Sequence, residues 1–394
     1  MAYKKIYLKR GKEESLMRFH PWVFSGAIQR IDEGIDEGDI VQVITAGGDF
    51  IAVGHYQVGS IAVRVLSFSN VPINGDFWRK RIASAYEMRL NIGIAGNPDN
   101  NTYRLVHGEG DNLPGLVIDV YGDTAVMQAH SVGMHVCRND VAQAVIDVLG
   151  DHIHNIYYKS ETTLPFKAEL GQENGFIYGS STDNTAVENG LRFHVDWLKG
   201  QKTGFFVDQR ENRMLLESYS SGKRVLNMFC YTGGFSFYAM RGGALQVSSV
   251  DSSAKAIELT KKNVELNFPG DKRHEAVCED AFKYLEQVGG NYDIIVLDPP
   301  AFAKHRAALH NALKGYTRLN VKAFEKIKSG GILFTFSCSQ VVTKDHFRNA
   351  VFTAAAQAKR RVRILHQLHQ PADHPINIYH PEGEYLKGLV LYVE

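Results

Sequence analysis

The chain has 394 residues, enough for two or three domains at about 150 residues each, which excludes a single small module. Charged residues make up 22% and hydrophobic ones 44%, close to globular averages, and this rules out a disordered, collagen-like or coiled-coil chain. Forty-four Lys plus Arg stand against 43 Asp plus Glu, so no global field grips a polyanion and any nucleic-acid surface must be local. Cys137, Cys230, Cys278 and Cys338 form no C-x-x-C pair, which suggests neither a zinc knuckle nor a disulfide framework and fits a reducing compartment. The opening residues lack the apolar core of a signal peptide and no apolar run of about 18 residues occurs. The expected location is cytoplasmic.

The first 30 residues carry seven basic groups, Lys4, Lys5, Lys9, Arg10, Lys12, Arg18 and Arg30, against Glu13 and Glu14, with Phe19, Trp22 and Phe24 interleaved. That makes a local basic and aromatic face, although such lysines also serve merely to solubilise an exposed strand. After an acidic, Gly-rich stretch from Ile31 to Asp49, the apolar alternation from Ile51 to Phe68 reads as strands of a small β-barrel. Phe77 to Ile92 has apolar residues at helical spacing and is expected to link two domains. Strands return at Tyr103, around the turn chemistry of Asn112, Pro114 and Gly115, and a helix follows near Cys137 to Leu149. His107, Glu109 and Asp111 sit in a Gly-rich turn where a structural role outweighs a ligand role.

From about Glu188 strands alternate with helices: Val225 to Met228, Val247 to Val250, Glu275 to Val277, Asp293 to Leu297 and Ile332 to Phe336. Such alternation means βαβ units and a parallel sheet, which binds ligands at its strand ends. The first strand runs into N-M-F-C-Y-T-G-G-F-S (Asn227 to Ser236). Gly233 and Gly234 let a ligand approach the backbone there, without the G-x-G-x-x-G spacing suited to a pyrophosphate. Asp251 closes the second strand 18 residues after Gly233, where a carboxylate accepts from ribose hydroxyls. Asp280 ends the third strand. Helix capping explains one such Asp, but two at successive strand ends favour an adenosine-containing ligand.

The fourth strand ends in L-D-P-P-A-F. Two prolines force extended backbone that turns Asp298 toward a cleft, and Lys304, His305 and Arg306 follow as a cluster able to meet a phosphate. The fifth strand runs into F-S-C-S, placing Cys338 at the same edge as Asp298. A lone cysteine is by default inert packing; between two serines at a strand exit, the nucleophile reading is favoured. The histidines 366, 369, 374 and 380 lie among prolines and read as a loop, so no metal site is expected. The closing L-K-G-L-V-L-Y-V reads as a terminal strand.

K-T-G-F-F-V-D-Q-R-E-N-R (Lys202 to Arg213), N-M-F-C-Y-T-G-G-F-S, S-V-D-S-S, L-D-P-P-A-F-A-K and F-S-C-S together resemble the S-adenosylmethionine (SAM)-dependent cytosine-5 methyltransferases of bacterial 23S ribosomal RNA that carry an N-terminal PUA domain. R-F-H-P-W-V-F-S-G-A-I (Arg18 to Ile28) and D-N-L-P-G-L-V-I-D-V-Y-G (Asp111 to Gly122) extend the likeness over nearly the whole chain.

The resemblance implies a multidomain α/β protein: a PUA-like barrel in residues 1–70, a small central α+β domain in 71–187, and a Rossmann-like class I methyltransferase with a seven-stranded sheet in 188–394. It implies SAM as cofactor, held by Phe229, Cys230, Tyr231, Thr232, Gly233 and Gly234, by Asp251 and Ser252 on the ribose side, by Asp280 and Ala281 near the adenine, and by Asp298 and Pro299 near the methionine end. Gln209 would help close the site. Cys338 would be the nucleophile and Asp298 its catalytic partner. Lys4, Lys5, Lys9, Arg10, Arg18 and Trp22, with Lys304 and Arg306, would contact structured ribosomal RNA. The oligomeric state stays open, a homodimer included.

Two departures from the family pattern stand out: Asn227 and Tyr231 occupy positions that are often acidic and Gly in class I enzymes, and Ala301 stands where several RNA cytosine-5 enzymes have a second cysteine after the proline motif. Two other functions remain as alternatives, an N-methyltransferase acting on guanine or adenine and a non-catalytic, SAM-sensing RNA-binding assembly factor.

Overall fold

A computed structural model of the chain describes residues 3–165, 170 and 173–394. It divides into two compact units, one made of residues 1–190, 195–207 and 372–383 and the other of 191–194, 208–371 and 384–394.

The first unit holds two sheets. A six-stranded mixed sheet contains Lys4–Leu8, Trp22–Phe24, Ile28–Ile31, Ile40–Ile44, Phe50–Tyr56 and Ile61–Ser67. Ile6, Leu8, Val41, Val43 and Val63 alternate into its core, all fully buried, as the period of two along a strand requires. The strand Ile40–Ile44 lies inside the stretch whose acidic, Gly-rich composition conceals it. A five-stranded sheet contains Thr102–His107, Leu116–Tyr121, Thr124–Ala129, Asn155–Tyr158 and Gly175–Tyr178. The helices Gly75–Asn91 and Arg138–Leu149 pack with it, burying Trp78, Ile82, Val141 and Val145. Asn74 caps the first of these by accepting from the Phe77 amide at 3.1 Å, which satisfies one of the orphan donors of a helix start.

One buried ion pair ties this unit together. The Arg89 guanidinium, 0% exposed, donates to both carboxylate oxygens of Asp111. It also donates to the carbonyls of Ala85 at 3.2 Å, Arg104 at 2.8 Å and Asp373 at 2.8 Å. A second pair, Arg104 on Asp119, has two bonds of 2.8 Å. Asp111 is therefore structural, as the turn chemistry around it suggests.

The second unit is a seven-stranded sheet: β1 (Arg224–Met228), β2 (Gln246–Asp251), β3 (His274–Cys278), β4 (Tyr292–Leu297), β5 (Ile327–Ser337), β6 (Val362–Leu368) and β7 (Lys387–Val393). Their order across the sheet is β3-β2-β1-β4-β5-β7-β6. The first five are parallel, and β7 runs antiparallel to both β5 and β6. Continuous apolar runs such as Ile294 to Leu297 and Leu389 to Leu391 are nearly fully buried, as expected for strands covered on both faces. The sheet matches the implied class I architecture. It also corrects the loop reading of the histidine-rich stretch: His366 lies on β6 and bonds the Tyr219 hydroxyl at 2.8 Å. The branched residues Val362 and Ile364 hold that segment as a strand, which the prolines further on obscure. His369 turns back on the Gln370 carbonyl, while His374 and His380 are buried in the first unit.

Replacing Asp111 with Ala should cost about 3–5 kcal/mol of stability, because it leaves a buried guanidinium without its counter-charge. The measurement is the denaturant midpoint of unfolding against wild type, and an unchanged midpoint would show that the pair carries no such load.

Candidate active site

In the second unit the order of strands reverses between β1 and β4, so their C-terminal ends flank the crevice where open α/β sheets bind ligands. The turn leaving β1 is left-handed at every second residue: φ is 58° at Phe229, 48° at Tyr231 and 85° at Gly233. Non-glycine residues pay for that conformation, and a set of bonds holds it. Asp251 accepts from the Tyr231 amide at 2.9 Å, Thr260 donates to the Tyr231 carbonyl at 2.9 Å, and Asn263 donates to the Thr232 carbonyl at 3.3 Å. At Gly233 a side chain is excluded twice over, by the positive φ and because a Cβ would lie 2.8 Å from both the Phe237 ring and Thr260 Cγ2. Gly234 then opens the buried helix Gly234–Arg241.

Two buried polar atoms at this turn have no partner among the described residues, the Thr232 hydroxyl and Asn227 Oδ1. Buried polar groups are normally paired, so these two atoms leave bonding capacity for a polar ligand or a water at the exit of β1. Each Asp251 oxygen takes one backbone amide, from Tyr231 and from Ser253, both at 2.9 Å. A carboxylate offers about four acceptor sites, and those left over suit two vicinal hydroxyls. Ser252 is exposed beside it. The Glu279 amide bonds the Asp251 carbonyl at 3.1 Å, bringing the exit of β3 alongside. There Asp280 caps the helix Ala281–Gln287 by accepting from the Lys283 amide at 3.1 Å, while Ala281 is buried. Capping is thus a role Asp280 certainly has. Gln209 is buried and accepts from Asn212 at 2.6 Å. The Cys230 thiol is buried against the Tyr231 carbonyl, and burial pushes it well above the usual thiol range.

The exits of β4 and β5 form the other half of the crevice. Leu297 pairs with Thr335, so Asp298 and Cys338 leave the same sheet edge. Cys338 is half-buried between fully buried Ser337 and Ser339. Both serines are fixed: Ser337 Oγ donates to the Tyr316 hydroxyl at 2.9 Å, and Ser339 Oγ donates to the Ala303 carbonyl at 2.6 Å. The second bond ties the Cys338 segment to the loop that carries Asp298, Pro299 and Pro300. Burial pushes the Tyr316 phenol up to about 12, and negative charge on Cys338 and Asp298 adds to the rise. One buried hydroxyl therefore feels both groups. Pro299 is buried, while Lys304 and Arg306 are exposed on the loop beyond.

Comparison with known proteins agrees with this geometry. Residues 176–381 match the family described as S-adenosylmethionine-dependent methyltransferase, and residues 6–68 match a PUA-like domain. The chain belongs to the S-adenosylmethionine-dependent methyltransferases. Proteins called ribosomal RNA large subunit methyltransferase I are similar to it over nearly their whole length. The one from Aeromonas hydrophila is 40% identical over 98% of both chains, and the one from Vibrio vulnificus is 38% identical over 98% of this chain and 99% of the relative. Two solved structures share the fold with TM-scores of 0.84 over 100% of both chains, a SAM-dependent methyltransferase from Streptococcus mutans (23% identical) and a methyltransferase complexed with S-adenosylhomocysteine (24%).

SAM is accordingly the cofactor of this methyltransferase, and the β1 turn with its unpaired hydroxyl and the Asp251 carboxylate fit a nucleoside-bearing ligand. Two residues that matter here escape a reading of the sequence: Tyr316, hidden in the helix Leu309–Lys326, and Lys387, on β7. Lys387 left a signal, since a lysine opening an otherwise apolar buried strand is seldom there for solubility.

Gly233→Ala should weaken S-adenosylhomocysteine binding about fivefold or more, since a strained φ alone costs about 1–3 kcal/mol. Titration calorimetry reads the change; wild-type affinity would show that the turn is not the cofactor cradle.

Proposed function

We propose that this methyltransferase forms 5-methylcytosine in large-subunit ribosomal RNA, with Cys338 adding covalently to the ring. The observation that carries the reading is the pairing of Cys338, half-exposed between two anchored serines, with Asp298 at one sheet edge beside the cofactor turn. The names of the relatives support a ribosomal RNA substrate.

Carbon 5 of cytosine is a weak nucleophile. Addition of the Cys338 thiolate at carbon 6 saturates the 5,6 bond and gives carbon 5 enamine character, so that it attacks an electrophilic methyl. When bound, SAM supplies that methyl on a sulfonium. Loss of the carbon 5 proton then expels the thiolate and restores aromaticity. Asp298, as a carboxylate, accepts from the exocyclic amine and holds the base against Cys338, which requires the cytosine to be unstacked. Phe229, Tyr231, Thr232, Gly233 and Gly234 hold the cofactor with Asp251 and Ser252, while Asp280, Ala281 and Pro299 border it and Gln209 supports the wall. Ala301 provides no second thiol, so release of the adduct falls to another group or to water.

RNA contacts fall to both units. In the first, Lys4, Lys5, Lys9, Arg10 and Arg18 are exposed, with Lys9 donating to the Gly26 carbonyl at 2.9 Å and Arg18 paired with Glu14 at 2.5 Å. Trp22 donates its indole N–H to Glu109 at 2.8 Å and packs 4.3 Å from the His380 ring, so the more accessible rings are Phe19 at 48% and Tyr379 at 50% exposure. These two line a shallow cavity of about 290 Å³ with Phe68, Asn112 and Asn377, where aromatic faces and amides suit an unpaired base. Phe19 holds φ at 63°, a strain that marks functional positions. In the second unit Lys304 and Arg306 meet the phosphates near the reacting base.

Cys338→Ala should abolish methyl transfer to deproteinised ribosomal RNA while S-adenosylhomocysteine binds as in wild type, and the wild-type product should be 5-methylcytidine by nucleoside mass spectrometry. A variant that still methylates, or an N-methylated purine as product, would replace this chemistry with direct transfer to nitrogen. No transfer to any RNA would leave a cofactor-sensing assembly factor.

A further inference from the structure

Among the described residues of the second unit, one buried ammonium has no carboxylate bonded to it. Lys387 is 5% exposed and opens β7, where it pairs with Ser337, the last residue of β5. Its Nζ donates to the carbonyl of Ser339 at 2.6 Å and to that of Tyr385 at 2.6 Å. Ser337 and Ser339 flank Cys338, so the chain places this ammonium against the peptide segment that presents the thiol. Two of its three N–H donors are used on these carbonyls.

A buried charge is tolerated when a counter-charge faces it. Lys387 faces two groups that become negative, Cys338 and Glu384, and one cation, Lys344. Glu384 is already bonded to Lys344, and both sit partly in solvent, whereas Cys338 lies next in the chain to the carbonyl that Lys387 holds. The Tyr385 hydroxyl, on the same segment, donates to Asp208 at 2.7 Å and so brings no further charge to the ammonium. The Tyr316 phenol lies within electrostatic reach of both Cys338 and Asp298, which leave the same sheet edge. A carboxylate there makes the thiolate harder to form, so a cation is needed to offset it.

We propose that Lys387 is the counter-ion of the Cys338 thiolate, a positioning residue that keeps the nucleophile ionised and aimed. The inference rests on the reading of Cys338 as the nucleophile. The ammonium keeps its proton while the thiol loses its own to solvent, so the resting pair is ammonium and thiolate; the thiolate then adds to carbon 6 and is returned when the adduct breaks. Burial draws Lys387 down to about 8, against the opposing pull of Cys338 and Glu384. The pair is thus present between the thiol's own midpoint and about pH 8: below that window the thiol is protonated, and above it the ammonium loses its charge.

The test is the pH profile of carbamidomethylation at Cys338 in the full chain, resolved by peptide mass spectrometry because Cys278 is also exposed. The wild-type midpoint should fall below the ordinary thiol value of about 8.5. In K387M and K387Q it should rise by about one unit or more, slowing alkylation at pH 7 about tenfold, with S-adenosylhomocysteine binding unchanged. A variant that binds this ligand normally and keeps the wild-type profile overturns the proposal. Should neither variant fold, a wild-type midpoint at or above about 8.5 overturns it alone. The nucleophile reading fails separately, through a C338A enzyme that still methylates, and that result leaves the alkylation profile untouched.

Discussion

On the proposed reading, the chemistry of this protein depends on how rigidly three consecutive residues, Ser337 to Ser339, are held where β5 ends. Strand pairing with β7 fixes Ser337 from one side, and the Tyr316 hydroxyl fixes it from the helix layer. Ser339 is fixed through its hydroxyl to the Ala303 carbonyl and through its own carbonyl to Lys387. With both neighbours buried and bonded, the backbone at half-buried Cys338 is held from either side, which on the proposed reading leaves little freedom to be lost when a substrate arrives.

The half of the crevice proposed to hold the cofactor is built by a different device. The β1 turn stores strain at Phe229 and Tyr231, and Asp251 is the residue that makes the strain tolerable, because it receives the Tyr231 amide that a left-handed residue turns outward. A single carboxylate thereby shapes the turn and keeps acceptor capacity for a ligand. This explains how Tyr231 stands at a position where class I enzymes often have Gly: hydrogen bonds to Asp251 and Thr260 replace conformational freedom. Asn227, where an acidic residue is common, keeps an unpartnered Oδ1, so it retains the acceptor without the charge.

Much of this was legible in the sequence. The parallel strands of the second unit, the Gly233 turn and the carboxylates at successive strand ends follow from apolar runs that stop at Gly, Asp or Pro. The strand Ile40–Ile44 was hidden because its neighbours are acidic and Gly-rich, and β6 because Arg363, His366 and Gln367 dilute its apolar pattern. β6 is an edge strand, and half-buried edge segments carry less periodicity than central strands do; Ile40–Ile44 lies inside its sheet and does alternate, over only five residues. Burial of single polar side chains is harder still, since Lys387 and Tyr316 act through tertiary neighbours far away in the chain.

Asp280 shows where pattern alone misleads by being incomplete. A lone carboxylate after β3 reads as a cap and, with Asp251 at the preceding strand end, as a ligand group; the structure has it capping the helix Ala281–Gln287 through the Lys283 amide. The two roles need not compete, because a capping oxygen uses one of about four acceptor sites, yet only one of them stabilises the protein before any ligand arrives. The same economy recurs at Asp251, which shapes a turn and keeps acceptor capacity for the proposed ligand, and at Ser339, whose hydroxyl and carbonyl reach two different elements. Residues at these strand ends serve fold and site at once, so substitutions there should be read through ligand binding as well as through activity.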